Sequence, residues 1–279
     1  MITMLTIDEP NKYSTLKEKI IFKLSNPITV KNISYNNLEI KHILAKKRKN
    51  KICWNKICKL INPETTFLCP DTISFPENST FSRYEPTNIN KILCKNAALN
   101  IIKTAKVPEN KLLVSILDPF GCHSELVNNI VPYLNQIKVI TKNIEFYSKE
   151  SEILMDKYGV SILVSDSMNW ITPCHVLIAP DKINEPINLS KDCITFTGFR
   201  PTISLNGTIF CDYKIKYIPK LSNLIPNDIN IKNFLEALFN NYNNININSI
   251  IPDTCVSALN KQTSLSSICH KIHSIVNLA

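Results

Sequence analysis

The chain has 279 residues, a formal net charge of +9, ten cysteines and only four glycines. A hydrophobic fraction of 44% excludes a disordered chain, and the length is enough for two ordinary domains or one large one. The sequence has no apolar run of the roughly 18 uncharged residues that a membrane span needs, and its first residues do not have the form of a signal peptide. We therefore expect a protein of the cytoplasm with no membrane partner.

The positive charge comes from 29 lysines and three arginines. Specific recognition of nucleic acid favours the bidentate guanidinium group, so this lysine excess is more typical of codon bias than of a nucleic-acid binder. One basic cluster stands out, from Lys41 to Lys59, but Trp54 is its only interleaved aromatic residue. We expect this cluster to be a solvated surface, with a phosphate or RNA patch as the alternative.

The ten cysteines form no CxxC motif, and without an export signal they are expected to be reduced thiols. Cys122-His123 and Cys174-His175 are the Cys-His pairs that fall within the most regular part of the chain. Cys122-His123 follows one predicted strand and Cys174-His175 precedes another, so the two pairs lie at opposite edges of the predicted parallel sheet and cannot share one metal ion. We therefore predict no metal site.

The first 110 residues give a less regular pattern than the rest. Two strands are predicted at Lys19–Leu24 and Thr29–Ile33, followed by a mostly helical stretch at Asn37–Leu60. A third strand at Thr65–Cys69, a loop at Asp71–Pro86 and a long helix from Thr87 or Asn88 to Ala105 come next. The long helix is the clearest of these, since its apolar residues follow a period of about 3.6.

From Lys111 to Tyr217 short apolar runs alternate with helical periods. The predicted strands are Leu112–Leu117, Ile137–Thr141, Val160–Val164, His175–Ala179, Cys193–Thr197 and Thr208–Tyr213, and the predicted helices are Ser124–Leu134 and Ile144–Tyr158. Nearly continuous apolar strands are typical of a parallel sheet that is buried on both faces. The link between the third and fourth strands is too short for a helix, which fits a crossing from one half of a doubly wound sheet to the other.

This pattern predicts an α/β protein with a Rossmann-like, doubly wound, mostly parallel sheet of order 3-2-1-4-5. We divide the chain into an N-terminal α/β subdomain with a linker (1–86), the Rossmann-like core (87–218) and a mostly helical C-terminal segment (219–279). That last segment has a predicted helix at Ile231–Phe239, an Asn-rich loop at Asn240–Asn248 and a final helix at Ser264–Leu278.

Ligands of open α/β sheets bind outside the carboxyl ends of the strands. This rule brings Asp118, Asp166 and Asp181 to one edge, together with His123, the only histidine there. His123, Asp118 and Asp181 are the candidate catalytic residues, with His123 as an acid or base near neutral pH. The alternative is that each aspartate is only a helix cap at a strand-to-helix turn.

The first turn after the first core strand has one glycine, Gly121, where the dinucleotide motif GxGxxG has three. A lysine after the second strand, Lys142, would favour the 2′-phosphate of NADP over the ribose hydroxyls of NAD. The cofactor, if there is one, is therefore expected to be NADP. The residues expected to bind it are Gly121, Thr141, Lys142, Asp166 and Gly198.

Two stretches, His175–Ile183 and Asp192–Pro201, resemble the second half of the NAD(P) domains in the shikimate dehydrogenase and glutamyl-tRNA reductase group. The resemblance covers about a hundred residues and implies an NAD(P)-binding domain. The first turn departs from that group's glycine-rich motif. The overall composition, with Arg83–Pro86 and Asn96–Leu99, also resembles proteins of AT-rich Gram-positive anaerobes and implies no function.

The leading hypothesis is a Rossmann-like protein that binds NAD(P) or another small ligand, and its enzymatic form is an oxidoreductase with a degenerate cofactor loop. A non-enzymatic interaction or regulatory protein of the same fold is the second hypothesis, because glycine is scarce where a phosphate must approach. A methyltransferase that uses S-adenosylmethionine is the third, with Asp166-Ser167-Met168 placed to contact adenine. The sequence leaves open the substrate and whether the protein forms a homo-oligomer.

Overall fold

The computed structural model describes residues 1–35, 38–48, 51–216, 221, 223–242 and 249–278. The chain forms two compact units, each built from two segments: Met1–Ile89 with Tyr217–Ile247, and Asn90–Lys216 with Asn248–Ala279. The boundary expected at residue 218 and most of the Asn-rich loop lie outside the described residues. The division of the chain into the segments 1–86, 87–218 and 219–279 stays a prediction.

The first unit contains a four-stranded sheet of order β2-β3-β1-β4. Strand β1 pairs in parallel with both β3 and β4, and β2 pairs antiparallel with β3. Its described elements are β1 (Ile2–Asp8), α1 (Leu16–Leu24), β2 (Ile28–Tyr35), β3 (Leu38–Lys46), α2 (Trp54–Cys58), β4 (Thr66–Leu68) and α6 (Ile231–Asn241). This unit is thus α/β, as expected for the N-terminal part.

Aromatic packing closes one face of this sheet. The Phe67 and Phe81 rings lie 5.0 Å apart in an edge-to-face arrangement, and Phe75 lies 5.5 Å from Phe81. Leu5 and Ile43 from the neighbouring strands join the same buried cluster. Such ring pairs add to the burial of apolar area, so the segment after β4 is held by its side chains although it contains no strand.

A buried carboxylate, Glu236 of α6, organises the end of the same unit. Its side chain is 1% exposed and accepts hydrogen bonds from the backbone N–H groups of Thr87, Asn88 and Ile89, at 2.8, 3.0 and 2.6 Å. The Tyr84 hydroxyl donates a further bond at 3.1 Å. A buried charge is tolerated where donors surround it, and here three of the donors are backbone groups.

The second unit contains an eight-stranded sheet of order β12-β11-β10-β9-β8-β5-β6-β7. Its described elements are α3 (Ile89–Ala105), β5 (Val114–Leu117), α4 (Ser124–Ile130), β6 (Gln136–Ile140), α5 (Ile144–Tyr158), β7 (Ser161–Ser165), β8 (Val176–Ala179), β9 (Ile194–Thr197), β10 (Thr208–Lys214), β11 (Thr254–Ser257), β12 (Gln262–Ser264) and α7 (Leu265–Leu278). The six strands β5 to β10 all run parallel to one another. Strands β11 and β12 extend the sheet in antiparallel pairing.

The six parallel strands have the order 3-2-1-4-5-6 of a Rossmann sheet, counted from β5. The expected order 3-2-1-4-5 is therefore confirmed, and the possible sixth strand is present as β10. The link between β7 and β8 contains only a short 3-10 helix, Met168–Ile171. Strand order reverses between β5 and β8, so the carboxyl ends of these two strands define the crevice where ligands bind in this fold.

Two expectations for the N-terminal unit are wrong, and one strand was not predicted. Lys19–Leu24 belongs to a helix, α1, rather than a strand. Asn37–Leu60 is not mostly helical, because its described residues hold strand β3 and only the five-residue helix α2. Strand β1 was missed altogether, although it lies between β3 and β4 and is buried along almost its whole length.

None of the helices in the described part of the chain is long and apolar enough to cross a membrane.

Candidate functional site

The first turn of the Rossmann sheet is organised around Asp118, the residue that follows β5. Its carboxylate is fully buried and accepts hydrogen bonds from the backbone N–H of Cys122 at 3.0 Å and of His123 at 2.8 Å. The Tyr147 hydroxyl of α5 donates a third bond at 2.6 Å. Burial and this bond to Asp118 raise the pKa of Tyr147 well above its ordinary value, so Tyr147 remains a donor.

The position of Asp118 changes what this turn can bind. In dinucleotide-binding proteins the N–H groups at the start of the first helix point at the pyrophosphate. Here the Cys122 and His123 N–H groups already bond to the Asp118 carboxylate, and the Gly121 N–H bonds to the Asp118 backbone oxygen at 3.2 Å. A phosphate at this place would have to displace a buried carboxylate of the same charge.

The two glycines expected at the site have identifiable backbone roles. Gly121 has a φ of +72°, and a Cβ there would lie 3.0 Å from Asn143 Nδ2. A Cβ at Gly198 would lie 2.3 Å from the backbone oxygen of Pro180 and 3.0 Å from Lys91 Cα. Gly198 therefore allows the chain after β9 to approach the chain after β8 closely.

A polar cluster connects three of the elements around the crevice. His123 Nε2 lies 2.9 Å from Asp181 Oδ2, and Lys91 Nζ of α3 lies 2.7 Å from Asp181 Oδ1. Burial opposes ionisation of Asp181, but the hydrogen bond from Lys91, the Lys91 charge and the hydrogen bond with His123 outweigh it and hold the pKa of Asp181 below its ordinary value. The structure thus brings all three candidate catalytic residues, Asp118, His123 and Asp181, into one cluster.

His123 is 7% exposed, and its Nδ1 is buried without a hydrogen-bond partner. If Nε2 carries the proton donated to Asp181, Nδ1 holds a free lone pair. An imidazole oriented by a carboxylate, with its other nitrogen unpaired, can accept or return a proton. This is the group in the cluster that is best suited to acid-base chemistry.

The same three residues also come close to the geometry of a metal site. Asp118, His123 and Asp181 each offer one ligand atom, and these atoms lie within 4.8 Å of one another. However, Asp118 already accepts three hydrogen bonds, and the Lys91 ammonium neutralises Asp181. A divalent cation would be repelled by Lys91 at this distance, so the arrangement suits a hydrogen-bonded ionic cluster better than a metal centre.

Beside this cluster lies a cavity of about 130 Å³ at the carboxyl ends of β5, β6, β7 and β8. It is lined by Leu117, Pro119, Phe120, Ile140, Thr141, Lys142, Asp166, Met168, Lys182, Asn184 and Glu185. Three of the five predicted cofactor-binding residues, Thr141, Lys142 and Asp166, therefore line one cavity, and Gly121 and Gly198 are not among the lining residues described. Pro119 and Lys182 directly follow Asp118 and Asp181 in the chain, so the cavity and the cluster are neighbours.

The sequence did not point to Lys91 and Tyr147. Both lie on helices, and neither belongs to a motif. Lys91 reaches Asp181 from a helix 90 residues earlier in the chain, a contact that only the packing of α3 determines. A carboxylate expected at the end of a buried strand could have prompted a search for such partners, since buried charges need them.

The fold and the residues at the carboxyl edge of the parallel strands define a Rossmann-like α/β protein. Its candidate ligand site lies at the topological switch point, where the strand order reverses between β5 and β8. No known protein family and no curated protein matches the sequence. Two dehydrogenases and a reductase are among the solved structures that this chain resembles. They include L-tryptophan dehydrogenase from Nostoc punctiforme, with 10% identity and a TM-score of 0.29 over 70% of this chain and 62% of that one.

Two further solved structures match this chain over almost the whole length of both chains. The ligand-free 5-ketofructose reductase of Gluconobacter sp. strain CHM43 shows 10% identity and a TM-score of 0.33 over 99% of this chain and 98% of that one. A shikimate dehydrogenase in complex with NADP+ shows 9% identity and a TM-score of 0.34 over 99% and 95%. This last structure comes from the shikimate dehydrogenase group, which the sequence also loosely resembles. The present chain spans less than two thirds of the tryptophan dehydrogenase.

Proposed function

We propose that the protein binds a nucleotide, with NADP as the leading candidate, and holds the adenosine end in the cavity beside β6. The observation that carries this proposal is the convergence of Thr141, Lys142 and Asp166 on one cavity at the carboxyl ends of parallel strands. In Rossmann sheets this is the side on which the ribose of the adenosine meets the residue after the second strand.

The charges around the cavity fit a phosphorylated ribose. Lys142 and Lys182 both line it and supply two cations for a 2′-phosphate. Asp166 can accept a hydrogen bond from a ribose hydroxyl or from the adenine amino group. The Phe120 ring also lines the cavity and is 69% exposed, so it offers a face on which a base can stack.

The pyrophosphate contact would differ from that of a typical dinucleotide enzyme. The backbone N–H groups of Cys122 and His123 already donate to the Asp118 carboxylate. The adenosine end and its phosphate would therefore supply most of the binding energy. This favours a binding mode centred on Lys142 and predicts modest affinity for the whole dinucleotide. It also supports the second candidate function, a non-enzymatic protein that senses a nucleotide without transforming it.

An oxidoreductase activity is the finer form of the proposal. A ligand that extends from the cavity past Pro119 would approach His123, whose ring is oriented by Asp181 and whose Nδ1 is unpaired. His123 would then exchange the proton that accompanies hydride transfer, while NADP would supply the hydride chemistry. The methyltransferase alternative has support of its own, since Asp166 and Met168 both line the cavity.

Isothermal titration calorimetry with NADP, NAD, adenosine 2′,5′-bisphosphate and S-adenosylmethionine separates these possibilities. We expect NADP and the bisphosphate to bind with similar affinity, and NAD to bind at least about tenfold more weakly because it lacks the 2′-phosphate. Lys142→Ala should weaken NADP binding by about tenfold, since it removes a charge-assisted contact. Lys157→Ala, at an exposed lysine of α5, is the matched control and should bind as the native protein does.

Three results would decide against parts of the proposal. No heat and no thermal stabilisation with any of the four ligands at millimolar concentration would overturn nucleotide binding. Preference for S-adenosylmethionine would favour the methyltransferase. NADP binding that is unchanged in His123→Ala, with no oxidoreductase activity in either protein, would favour the non-enzymatic function.

We also propose that the protein works in the cytoplasm with a small molecule as its partner. All ten cysteines lie in the described ranges and are free thiols, which suits a reducing compartment.

A further inference from the structure

Two buried thiols lie next to each other at the amino edge of the eight-stranded sheet. The cavity proposed to bind the nucleotide lies at the opposite, carboxyl edge of this sheet. Cys174 precedes β8 and Cys193 precedes β9, and these strands pair in parallel. The two Sγ atoms lie 3.7 Å apart in a hydrogen-bonded contact. No other pair of thiols within the described ranges has a sulfur-to-sulfur hydrogen bond.

The pair lies in the wall of a large cavity. A space of about 750 Å³ is lined by both cysteines and by polar groups that include His175, Asp192 and Lys271. Cys174 is 6% exposed and Cys193 is 1% exposed. Cys174 is thus the more accessible of the two thiols to a small polar molecule that enters this cavity.

The surroundings assign different roles to the two sulfurs. The hydrogen bond from Cys193 lowers the pKa of Cys174 against the opposing effect of burial, and Ser115 and Lys138 act in the same direction. The bond to Cys174 and burial raise the pKa of Cys193. Cys174 is thus the better nucleophile, since the thiolate is the reactive form, and Cys193 remains a thiol that donates to it.

We propose that Cys174 and Cys193 are a peroxide-oxidised dithiol that closes to a reversible disulfide. In the first step Cys174 Sγ attacks one oxygen of the peroxide, the O–O bond breaks, and a sulfenic acid forms with loss of water or alcohol. In the second step Cys193 Sγ attacks the Cys174 sulfur, the S–O bond breaks and water leaves. Two thiols are oxidised for each peroxide reduced, and a dithiol reductant restores them by exchange.

The movement required is small. A disulfide has an S–S distance of about 2.05 Å, so the sulfurs must approach by roughly 1.7 Å from the observed 3.7 Å. The two residues lie just before neighbouring parallel strands, where the pairing of Val176 with Ile194 leaves Cys174 offset by one residue from the position opposite Cys193. The disulfide would tie together the amino ends of β8 and β9, whose carboxyl ends lead to Asp181 and Gly198.

The test uses the native protein treated with hydrogen peroxide, then alkylated and digested without reduction for peptide mapping by mass spectrometry. We expect one cross-linked species joining the peptides of Cys174 and Cys193, with a loss of about two mass units, reversed by a dithiol reductant. Cys122→Ser removes an exposed thiol and should leave this cross-link unchanged. Retention of both free thiols after the exposed cysteines have been oxidised would overturn the proposal.

A variant separates the two steps. In Cys193→Ser the hydroxyl can still donate to Cys174 but cannot resolve the sulfenic acid, so we expect a dimedone adduct on Cys174. In Cys174→Ala, Cys193 should stay unmodified because it is shielded. A dimedone adduct on Cys193 rather than on Cys174 would contradict the assigned order of attack, and if either variant fails to fold, the mapping of the native protein decides alone.

Discussion

Asp118 is the residue that most distinguishes this first turn from one that binds a pyrophosphate. Its buried carboxylate accepts hydrogen bonds from two backbone N–H groups and from Tyr147. Hydrogen bonds to a charged group are stronger than neutral ones, and the bonds from the His123 N–H and the Tyr147 hydroxyl are buried. The carboxylate therefore stabilises the turn whether or not a ligand binds nearby.

Asp118→Asn tests this structural role. The amide keeps one acceptor oxygen but turns an NH2 group toward buried donors, so we expect the free energy of unfolding to fall by about 2 kcal/mol. Urea unfolding followed by circular dichroism measures the change. Asp166→Asn, at an exposed aspartate of the same edge, is the control and should change stability by less than about 0.5 kcal/mol. An equal urea midpoint for native protein and Asp118→Asn would contradict the account.

The ion pair of Lys91 with Asp181 predicts a pH dependence. The pKa of Asp181 is lowered in the folded protein, so its contribution to stability is present above the ordinary aspartate pKa and is lost as the pH falls through the lower folded value. Replacing Lys91 removes a main cause of the lowering. The difference between native protein and variant should therefore be largest near neutral pH and shrink in the acid range.

Lys91→Met should reduce the free energy of unfolding by about 1 to 2 kcal/mol at pH 7. Urea unfolding at a series of pH values between neutral and acid gives the profile. Lys103→Met, at an exposed lysine of the same helix, controls for the substitution itself, because methionine and lysine have similar helix propensities. A deficit that stays constant as the pH falls through the acid range would show that Lys91 acts by packing rather than by charge.

At the scale of elements, the strands of the parallel sheet could be predicted because burial on both faces leaves a local signature. Each of β5, β8 and β9 is fully buried along its length, and such strands are rich in apolar and β-branched residues. The residues after these strands were predictable for the same reason. The partners Lys91 and Tyr147 were not, because the approach of α3 and α5 to the sheet edge depends on long-range packing.

The N-terminal unit lacks such a signature. Helix α1 buries only Phe22 and leaves Leu16 and Leu24 mostly exposed, so its apolar residues do not follow a single face. The useful signal was a capping box, in which the Thr15 side chain accepts from the Glu18 N–H while Glu18 accepts from the Thr15 N–H. A helix start signal of this kind outweighs the β-like apolar run that follows it.

The importance of this cap can be measured locally. Thr15→Ala should destabilise α1 by about 1 kcal/mol, because it leaves an N–H group of the first turn without its acceptor. Hydrogen exchange followed by mass spectrometry should then show about fivefold faster exchange in the peptide that covers α1. Lys19→Ala leaves the capping box intact and should not accelerate exchange. Unchanged protection in Thr15→Ala would mean that packing alone maintains the helix.

At the scale of the whole molecule, the charge of +9 has to be weighed against the contacts its lysines make. Within the basic cluster, Lys47 forms an ion pair with Glu9 at 3.0 Å, and Lys41 donates to the backbone oxygen of Leu60 at 2.9 Å. Arg48 donates to the backbone oxygen of Phe22 at 3.3 Å, and Lys49 lies outside the described residues. Several of its cations are thus used within the chain, while Lys51, Lys56 and Lys59 are exposed.

This distribution of lysine contacts predicts no more than a nonspecific, electrostatic contact with nucleic acid. Each neutralised phosphate contributes to a steep dependence on salt, so three exposed lysines should give weak binding that disappears at about 200 mM salt. Fluorescence anisotropy with a labelled single-stranded RNA and a DNA duplex, measured from low to high salt, gives the slope. Replacing Lys51, Lys56 and Lys59 together by alanine should weaken the low-salt signal no more than replacing three exposed lysines elsewhere. Binding that survives high salt and is lost only when the cluster is changed would reverse this conclusion and make the basic cluster a true nucleic-acid site.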